Sequence, residues 1–451
     1  MKTFFAATIV LLIALSVAAW RMIPPPPGGN RLTLVWTTDK NPTREAQVGL
    51  FNRLNPDLFL VIDPANNTKE KVIVQSKGGV GPDLFDSYGS QNLRDMIAAG
   101  VAWDITEPLK ASGIEVEKIT WPVAVPSCVS NGRYYGFPRN VNAGAIWFNK
   151  DLFDKAGVPY PKPGWTWDEL IATAKRLTVK GTDGRPTQFG LYYSWTNWND
   201  RNDLLYTFGG RMFNDDGTEC VIDSPENRAA LQLAHDLNYK YNVCPTPVQE
   251  AALTTQGGWG SGGMTYLMGG RVAMAVGGRW WLNLIRKEKP DLNLGVVEMP
   301  YQKVPRVVGG AGCTLVNANS PNREAAIRFV KFLASPEYSR LLNDQADALA
   351  PLMSECYTER FLHNPEWPKE DYNTVWRNVI KNARVDEISD FLRGSELGTI
   401  STQLDLVRAN LKGVPEALRD AQQNSNDRIR QLARSRPALR ELYVKSLGRE
   451  P

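Results

Sequence analysis

Gly132-Arg133-Tyr134-Tyr135-Gly136-Phe137-Pro138, then Arg139-Asn140-Val141-Asn142, then Ala145-Ile146-Trp147-Phe148-Asn149-Lys150-Asp151-Leu152-Phe153 is the stretch on which the fold turns. It runs on through Ala156-Gly157-Val158-Pro159 to Trp165-Thr166-Trp167-Asp168-Glu169-Leu170. The aromatic and β-branched residues of 133–138 and 145–149 predict two adjacent strands. The polar connector 139–142 between apolar strands suits a passage from one folded body to another. Thr166 with Glu169 three residues on is a capping box, so a helix opens at 167.

N-terminal to this stretch, Leu32-Thr33-Leu34-Val35-Trp36 reads as a buried strand. Asn41-Pro42 starts a helix, with Asn as cap and Pro at the first helical position. That helix is expected to turn Val48, Leu50, Phe51 and Leu54 to the core and to stop at Asn55-Pro56-Asp57. Asp83-Leu84-Phe85 is the next strand, and a helix over 91–99 ends at Gly100. On the C-terminal side, Leu191-Tyr192-Tyr193 and 271–276 read as strands, and Ser224-Pro225 and Ser320-Pro321 as helix starts. The segment 321–334 is apolar around more than half its circumference, as in a sandwiched helix. Beyond about residue 400 the chain reads as charged helix. Strands alternating with helices predict an α/β fold with a largely parallel sheet.

The 451 residues, 43% hydrophobic and 22% charged, are those of a soluble globular chain long enough for more than one domain. A net charge of only +4 argues against a nucleic-acid partner, which needs a concentrated basic face. Two His leave little room for His-based metal sites or a Ser-His-Asp triad. The Gly-rich loop 257–263 lacks the Lys-Ser/Thr ending of a phosphate loop. The five Cys form no C-x-x-C pair, and Cys220 and Cys244 pair only if the chain folds back around the helix between them. The informative excess is in Trp, with fourteen, which serve either as core or as flat stacking surfaces.

Residues 1–19 combine a short basic start, an apolar run over Phe4–Ala19 and small residues at Ser16 and Ala18, the pattern of an export signal. An uncleaved anchor over 4–20 is the other reading, since about 17 apolar residues is the lower limit for spanning a bilayer. The tract 20–30, with Pro24 to Pro27 and two glycines, reads as an extended linker. Both readings place the folded part outside the cytoplasm, and no Cys near residue 20 offers a lipid attachment point.

The order of these segments resembles the extracellular solute-binding proteins of ABC importers, in the sugar-binding family that includes maltose-binding protein. Gly81-Pro82-Asp83-Leu84-Phe85, the stretch 132–170, Gly270-Arg271-Val272-Ala273-Met274 and the segment from Ser320-Pro321 to Phe332-Leu333 carry the likeness. The resemblance implies a two-lobed, periplasmic-binding-protein-like α/β fold with a hinge and an interlobe cleft. Carried over, lobe 1 is 31–141 plus 301–345, and lobe 2 is 142–300 plus 346–451. Hinges are expected near Asn140-Val141-Asn142 and Met299-Pro300. The implied function is capture of a mono- or oligosaccharide by hinge closure and delivery to permease subunits, by a monomer needing no cofactor and no metal. A binding protein for another solute, such as a polyamine, and a carbohydrate hydrolase are the alternatives.

A sugar presents hydroxyls, which planar polar side chains serve in pairs, and C–H faces, which aromatic rings cover. Ligands of open α/β sheets sit beyond the carboxyl ends of strands. Asp39 follows the first strand, where it is either a helix-start charge or a ligand contact. Asp86, Ser87 and Tyr88 follow the strand 83–85. Asn140 and Asn142 lie in the polar connector, and the family places a ligand-contacting carboxylate at a position resembling Asn142. Trp195, Trp198 and Asn199 follow the strand near 191–193, and polar neighbours favour both Trp as stacking platforms. Trp259 stands among glycines, Arg279 and Trp280 follow the strand at 271–276, and Gly309-Gly310 is a candidate for close approach to the ligand.

Overall fold

A computed structural model describes residues 29–65, 68–195, 198–253 and 262–451. The side chains of Trp198 and Asn199 lie outside the described set, as do Trp259 and the apolar segment 4–20. Thirteen strands are named here: β1 (Leu32–Thr37), β2 (Leu58–Asp63), β3 (Leu84–Tyr88), β4 (Val129–Ser130), β5 (Arg133–Tyr134), β6 (Gly136–Ala143), β7 (Ala145–Asn149), β8 (Val179–Lys180), β9 (Pro186–Tyr192), β10 (Val272–Gly277), β11 (Leu294–Val297), β12 (Val308–Val316) and β13 (Arg384–Val385). They build two main sheets. The first has the order β13-β12-β3-β1-β2, with β6 also on β12; the second is β11-β7-β10-β9-β8.

The first sheet is parallel across β2, β1 and β3, but β12 runs antiparallel to both β3 and β6. In the second, β9 and β10 are parallel while β7 is antiparallel to β10 and β11. The expected largely parallel sheet is therefore mixed. The strands that return from the other body enter against the direction of the first ones.

The strands predicted at 133–138 and 145–149 are neighbours in sequence only. β6 runs through the polar connector as strand and belongs to the first sheet, whereas β7 starts the second. Gly144 alone separates them. The return passage lies between β11 and β12.

Several local readings hold. Asn41 Oδ1 accepts from Arg44 N at 2.9 Å, the Thr166–Glu169 capping box is formed, and Ser224 Oγ accepts from Asn227 N. Ser320 does not cap: it donates to Asp83 Oδ1 at 2.5 Å, and the helix starts later, at Arg323. The helix Pro42–Leu54 buries Thr43, Arg44, Gln47 and Phe51 and leaves Leu54 exposed. Its inner face is mixed: Phe51 packs into the core with Val48 and Leu50 partly buried against it, as expected, while Arg44 and Gln47 are buried because they meet the charged Asp347 layer of the site.

Aromatic groups anchor each body. Trp36 packs on Phe329 at 4.8 Å and Phe51 meets the same ring edge-on at 5.2 Å. In the second sheet Trp147 contacts Trp281, Trp376 and Tyr372. Most of the Trp excess is thus core. All five Cys are free and buried, so Cys220 and Cys244 do not pair.

Candidate functional site

Between the two sheets lies a cavity of about 720 Å3, within the range of small-molecule sites. Its walls come from both bodies. The first sheet and its helices supply Asp39, Tyr88, Asn140 and Asn142, and the second supplies Asp203 and Trp280. A segment after β13, containing Asp386, Glu387 and Leu392, forms a further side.

Five of the sequence-derived candidates meet here: Asp39, Tyr88, Asn140, Asn142 and Trp280. Strand alternation explains β3. Side chains point to opposite faces in turn, so Asp86 and Tyr88 share the site face while Ser87 points away and is fully buried. Ser87 is therefore not placed as a ligand contact. Asp86 is set one layer below the cavity, on a side hollow of about 70 Å3 that it shares with Thr38, Asp39 and Tyr88.

Asp86 is the hub of that layer. Its Oδ2 accepts from Arg139 Nε at 2.8 Å and from Thr38 Oγ1, and its Oδ1 accepts from Trp36 Nε1 at 2.9 Å and Thr314 Oγ1 at 3.0 Å. Both members of the Asp86–Arg139 pair are almost wholly buried. Burial pushes the Asp86 carboxyl up to about 7, against the pull of Arg44 and of the Thr38 hydrogen bond. Arg139 reaches this place through a register shift: Gly312 pairs with Asn140 and Cys313 with Pro138, so Arg139 is the extra residue of a β-bulge. Bulges re-aim side chains in this way. Arg139 Nη2 also donates to Tyr88 Oη at 2.5 Å and lies 3.5 Å from Asp39 Oδ1.

Arg44 completes the layer, donating to Asp347 Oδ2 at 2.5 Å and to Gln47 Oε1 at 3.0 Å, with Asp39 at 3.6 Å. Burial works against its charge more than any single neighbour favours it, but Asp347, Tyr338, Asp39 and Asp86 together hold its pKa above the usual guanidinium value. Neither Arg44 nor Arg139 was singled out from the sequence. The one available signal was a cation in the polar run 139–142.

Besides Asp86 and Ser87, two more candidates fall outside the cavity. Trp195 is 1% exposed, and its Nε1 donates to Asn238 Oδ1 at 3.3 Å, so it is a satisfied core Trp rather than a stacking platform. Its polar sequence neighbours misled because they belong to the next helix, Trp198–Thr207. Arg279 is 2% exposed and donates to Asn373 Oδ1, Ala348 O and Asn343 O, a structural tie rather than a ligand contact. Of the tandem Trp280-Trp281, Trp281 packs inward on Trp147 and Trp280 is the half-buried ring at the cavity. Gly278 makes this possible, because a Cβ there would lie 1.7 Å from the Trp280 ring. Gly310 leaves open space at the wall, whereas a Cβ on Gly309 would meet Ala383 and Val123 behind the sheet.

A cavity walled by two α/β bodies between which the chain passes back and forth is the geometry of a hinged binding protein. The bacterial extracellular solute-binding protein family matches residues 36–339. The chain belongs to that family. Among relatives of this solute-binding protein, the sn-glycerol-3-phosphate-binding periplasmic protein of Escherichia coli K12 is 22% identical over 411 residues, 85% of this chain and 89% of that one. An ABC substrate-binding protein from Listeria monocytogenes, solved in complex with cycloalternan, superposes with a TM-score of 0.76 at 21% identity, covering 88% of this chain and 98% of that chain. The maltose/maltodextrin-binding domain of Bdellovibrio bacteriovorus, bound to maltotriose, gives 0.71 at 18% identity, covering 89% and 100%. These structures share the two-lobed fold with this chain.

Proposed function

We propose that this solute-binding protein captures an uncharged carbohydrate in the interlobe cavity and presents it, outside the cytoplasm, to the permease of an ABC importer. The observation that carries the reading is the pairing of one aromatic face, Trp280, with a wall of planar hydrogen-bonding groups, Asp39, Asn140, Asn142, Asp203 and Asp386, in a single hollow. The ring covers a C–H face and the carboxylates and amides accept hydroxyl protons. Structural relatives named for bound oligosaccharides support it.

The charge of the wall bears on ligand class. Six carboxylates and three cations line the cavity. Each cation already faces a carboxylate: Lys69 with Asp95 at 2.7 Å, Arg44 with Asp347 at 2.5 Å and Arg139 with Asp39 at 3.5 Å. A phosphorylated ligand, such as the one named for the E. coli relative, would meet excess negative charge. The resemblance expects a ligand-contacting carboxylate where Asn142 stands; an amide there would keep a hydrogen bond to a hydroxyl but lose the charge, so the sugar preference should differ from that of maltose-binding protein.

In this reading the chain acts as a monomer and needs no cofactor, and its lobes follow the expected ranges except that 142–143, in β6, and 384–385, in β13, join the first sheet and not the second lobe. Ligand favours the closed arrangement through contacts that the open one lacks. ATP hydrolysis belongs to a separate subunit.

The test is a thermal-shift panel of neutral mono- and oligosaccharides, sn-glycerol 3-phosphate, polyamines and amino acids. Bound ligand raises apparent stability by mass action. Stabilisation by one or more neutral saccharides is expected. Stabilisation by polyamines or glycerol phosphate without any by saccharides overturns the reading, and release of reducing ends from oligosaccharides would make the protein a hydrolase.

A further inference from the structure

Besides the passages after β6 and after β11, the chain crosses a third time just after β13, and the segment that follows spans the cleft. After β13, residues 386–389 are rooted on the second body. Asn202 Nδ2 donates to Asp386 Oδ1 at 2.7 Å. Glu387 accepts from Arg211 Nε at 3.0 Å and from the backbone N–H groups of Met212 and Phe213 at 2.8 and 3.1 Å. Ser389 Oγ donates to Gly217 O at 2.5 Å, and a Cβ on Gly217 would strike Ile388 O at 2.3 Å. Farther along, Glu396 makes a bidentate pair with Arg428 of the C-terminal helix Val414–Ser435.

Between these roots, residues 390–393 turn to the other body. Asp390 Oδ2 accepts from Arg94 Nη1 at 2.9 Å, and Arg393 Nη1 lies 3.4 Å from Asp95 Oδ1. Arg393 Nη2 also donates to Asp390 Oδ1 at 2.6 Å, and Asp95 takes Lys69 at 2.7 Å. Arg94 and Asp95 sit on the helix Gly89–Ala98, which packs on β3 and β12 of the first sheet. The acid–base order along this chain alternates without a break: Arg94, Asp390, Arg393, Asp95, Lys69. The same strap lines the cavity through Asp386, Glu387, Ser389 and Leu392.

The geometry points to Arg94, Asp95, Asp390 and Arg393 as positioning residues that clasp the strap 386–394 across the cleft mouth, holding the third wall of the ligand site in its closed position. The strap is fixed to the second body by buried backbone hydrogen bonds, which persist when the lobes part. Its contacts to the first body are part-exposed ion pairs, which are weak singly, are strengthened as a network and are screened by salt. The clasp is therefore the part of the cleft that yields. It makes opening, and hence ligand exchange, depend on ionic strength. This inference rests on the solute-binding reading for its consequence, but its test needs no ligand.

The test uses the full chain without ligand. Small-angle scattering and hydrogen exchange are recorded at low and high ionic strength for wild type, Arg94→Gln, Asp390→Asn and the double variant. These residues are on the surface, so circular dichroism checks that folding is intact. Wild type is expected to expand in radius of gyration from low salt to about 1 M, where the screening length falls to about 3 Å. Each single variant is expected to expand at low salt and to show several-fold faster exchange in 386–394 and in 89–98. The double variant should match Asp390→Asn, which already loses the Arg94 contact together with that to Arg393, because the shared contact is lost only once. A salt-independent wild-type radius, or unchanged exchange in the variants, overturns the clasp. So does additivity of the two substitutions. Failure of every saccharide to bind, with these shifts present, would instead overturn the ligand assignment and leave the clasp standing.

Discussion

Replacing Arg139 by Met separates what the layer beneath the cavity does for stability from what it does for binding. The guanidinium is 2% exposed and its partner Asp86 5%, with Nε and Oδ2 2.8 Å apart. At an effective dielectric constant near 20, that contact is worth about 6 kcal/mol of gross attraction. Most of it is offset by the desolvation of both ions. What the variant leaves is a buried carboxylate with Thr38, Trp36 and Thr314 as its remaining hydrogen-bond donors. Breaking a buried pair by removing one member typically costs about 3–5 kcal/mol.

The sign of the pH dependence follows from Asp86. Its folded pKa is already raised, to about 7, by burial, and removing a cation 2.8 Å from its Oδ2 raises it further. A carboxyl raised in the folded state binds its proton more tightly there than in the unfolded chain. Its stabilising contribution is present below the unfolded value, about 3.9, and is lost as pH rises through the folded one. The deficit of R139M should therefore be larger at pH 8 than at pH 5, by up to about 1.4 kcal/mol, because pH 8 lies only about one unit above the wild-type value and each unit is worth about 1.36 kcal/mol. Urea unfolding at the two pH values reads it directly. A deficit below about 1 kcal/mol, or one independent of pH, refutes the argument that this pair is load-sharing and buried.

Trp280→Ala should weaken saccharide binding by about 10–100-fold in calorimetry, the equivalent of about 1.5–3 kcal/mol of lost ring burial, with a small change in melting temperature. Gly278→Ala should weaken binding in the same titration without contributing any ligand contact of its own, because the added methyl displaces the Trp280 ring; unchanged affinity would show that the ring's position is irrelevant. Trp195→Ala should do the reverse, costing about 3–5 kcal/mol in denaturant unfolding while leaving affinity unaltered, since it opens a core cavity away from the site.

The fold was legible because capping and breaking signals are local. Asn41-Pro42, Thr166 with Glu169 and Ser224-Pro225 each place a helix start by their own chemistry. Ser320-Pro321 failed because a tertiary partner, Asp83, took the hydroxyl. β2 was missed because Leu58–Asp63 follows a breaker and looks like its tail. The site was half legible. Asp39, Tyr88, Asn140, Asn142 and Trp280 follow from strand ends and polar connectors. Ser87 went wrong because the strand runs on to Tyr88, and continued alternation turns that residue inward. Asp347, Asp386 and Glu387 reach the cavity from distant segments, and no local pattern marks such residues. Trp195 shows the limit of inferring exposure from neighbours: the polar residues after it begin a separate helix.

The central claim is that a hydroxyl-rich ligand sits between the two bodies against Trp280. A crystal structure of the chain grown with a saccharide that stabilises it tests this most directly. A sugar ring lying flat on Trp280, with its hydroxyls donated to Asp39, Asn142 or the 386–387 carboxylates, is the predicted density. A sugar bound elsewhere on the chain, with this hollow holding only water, would contradict the account.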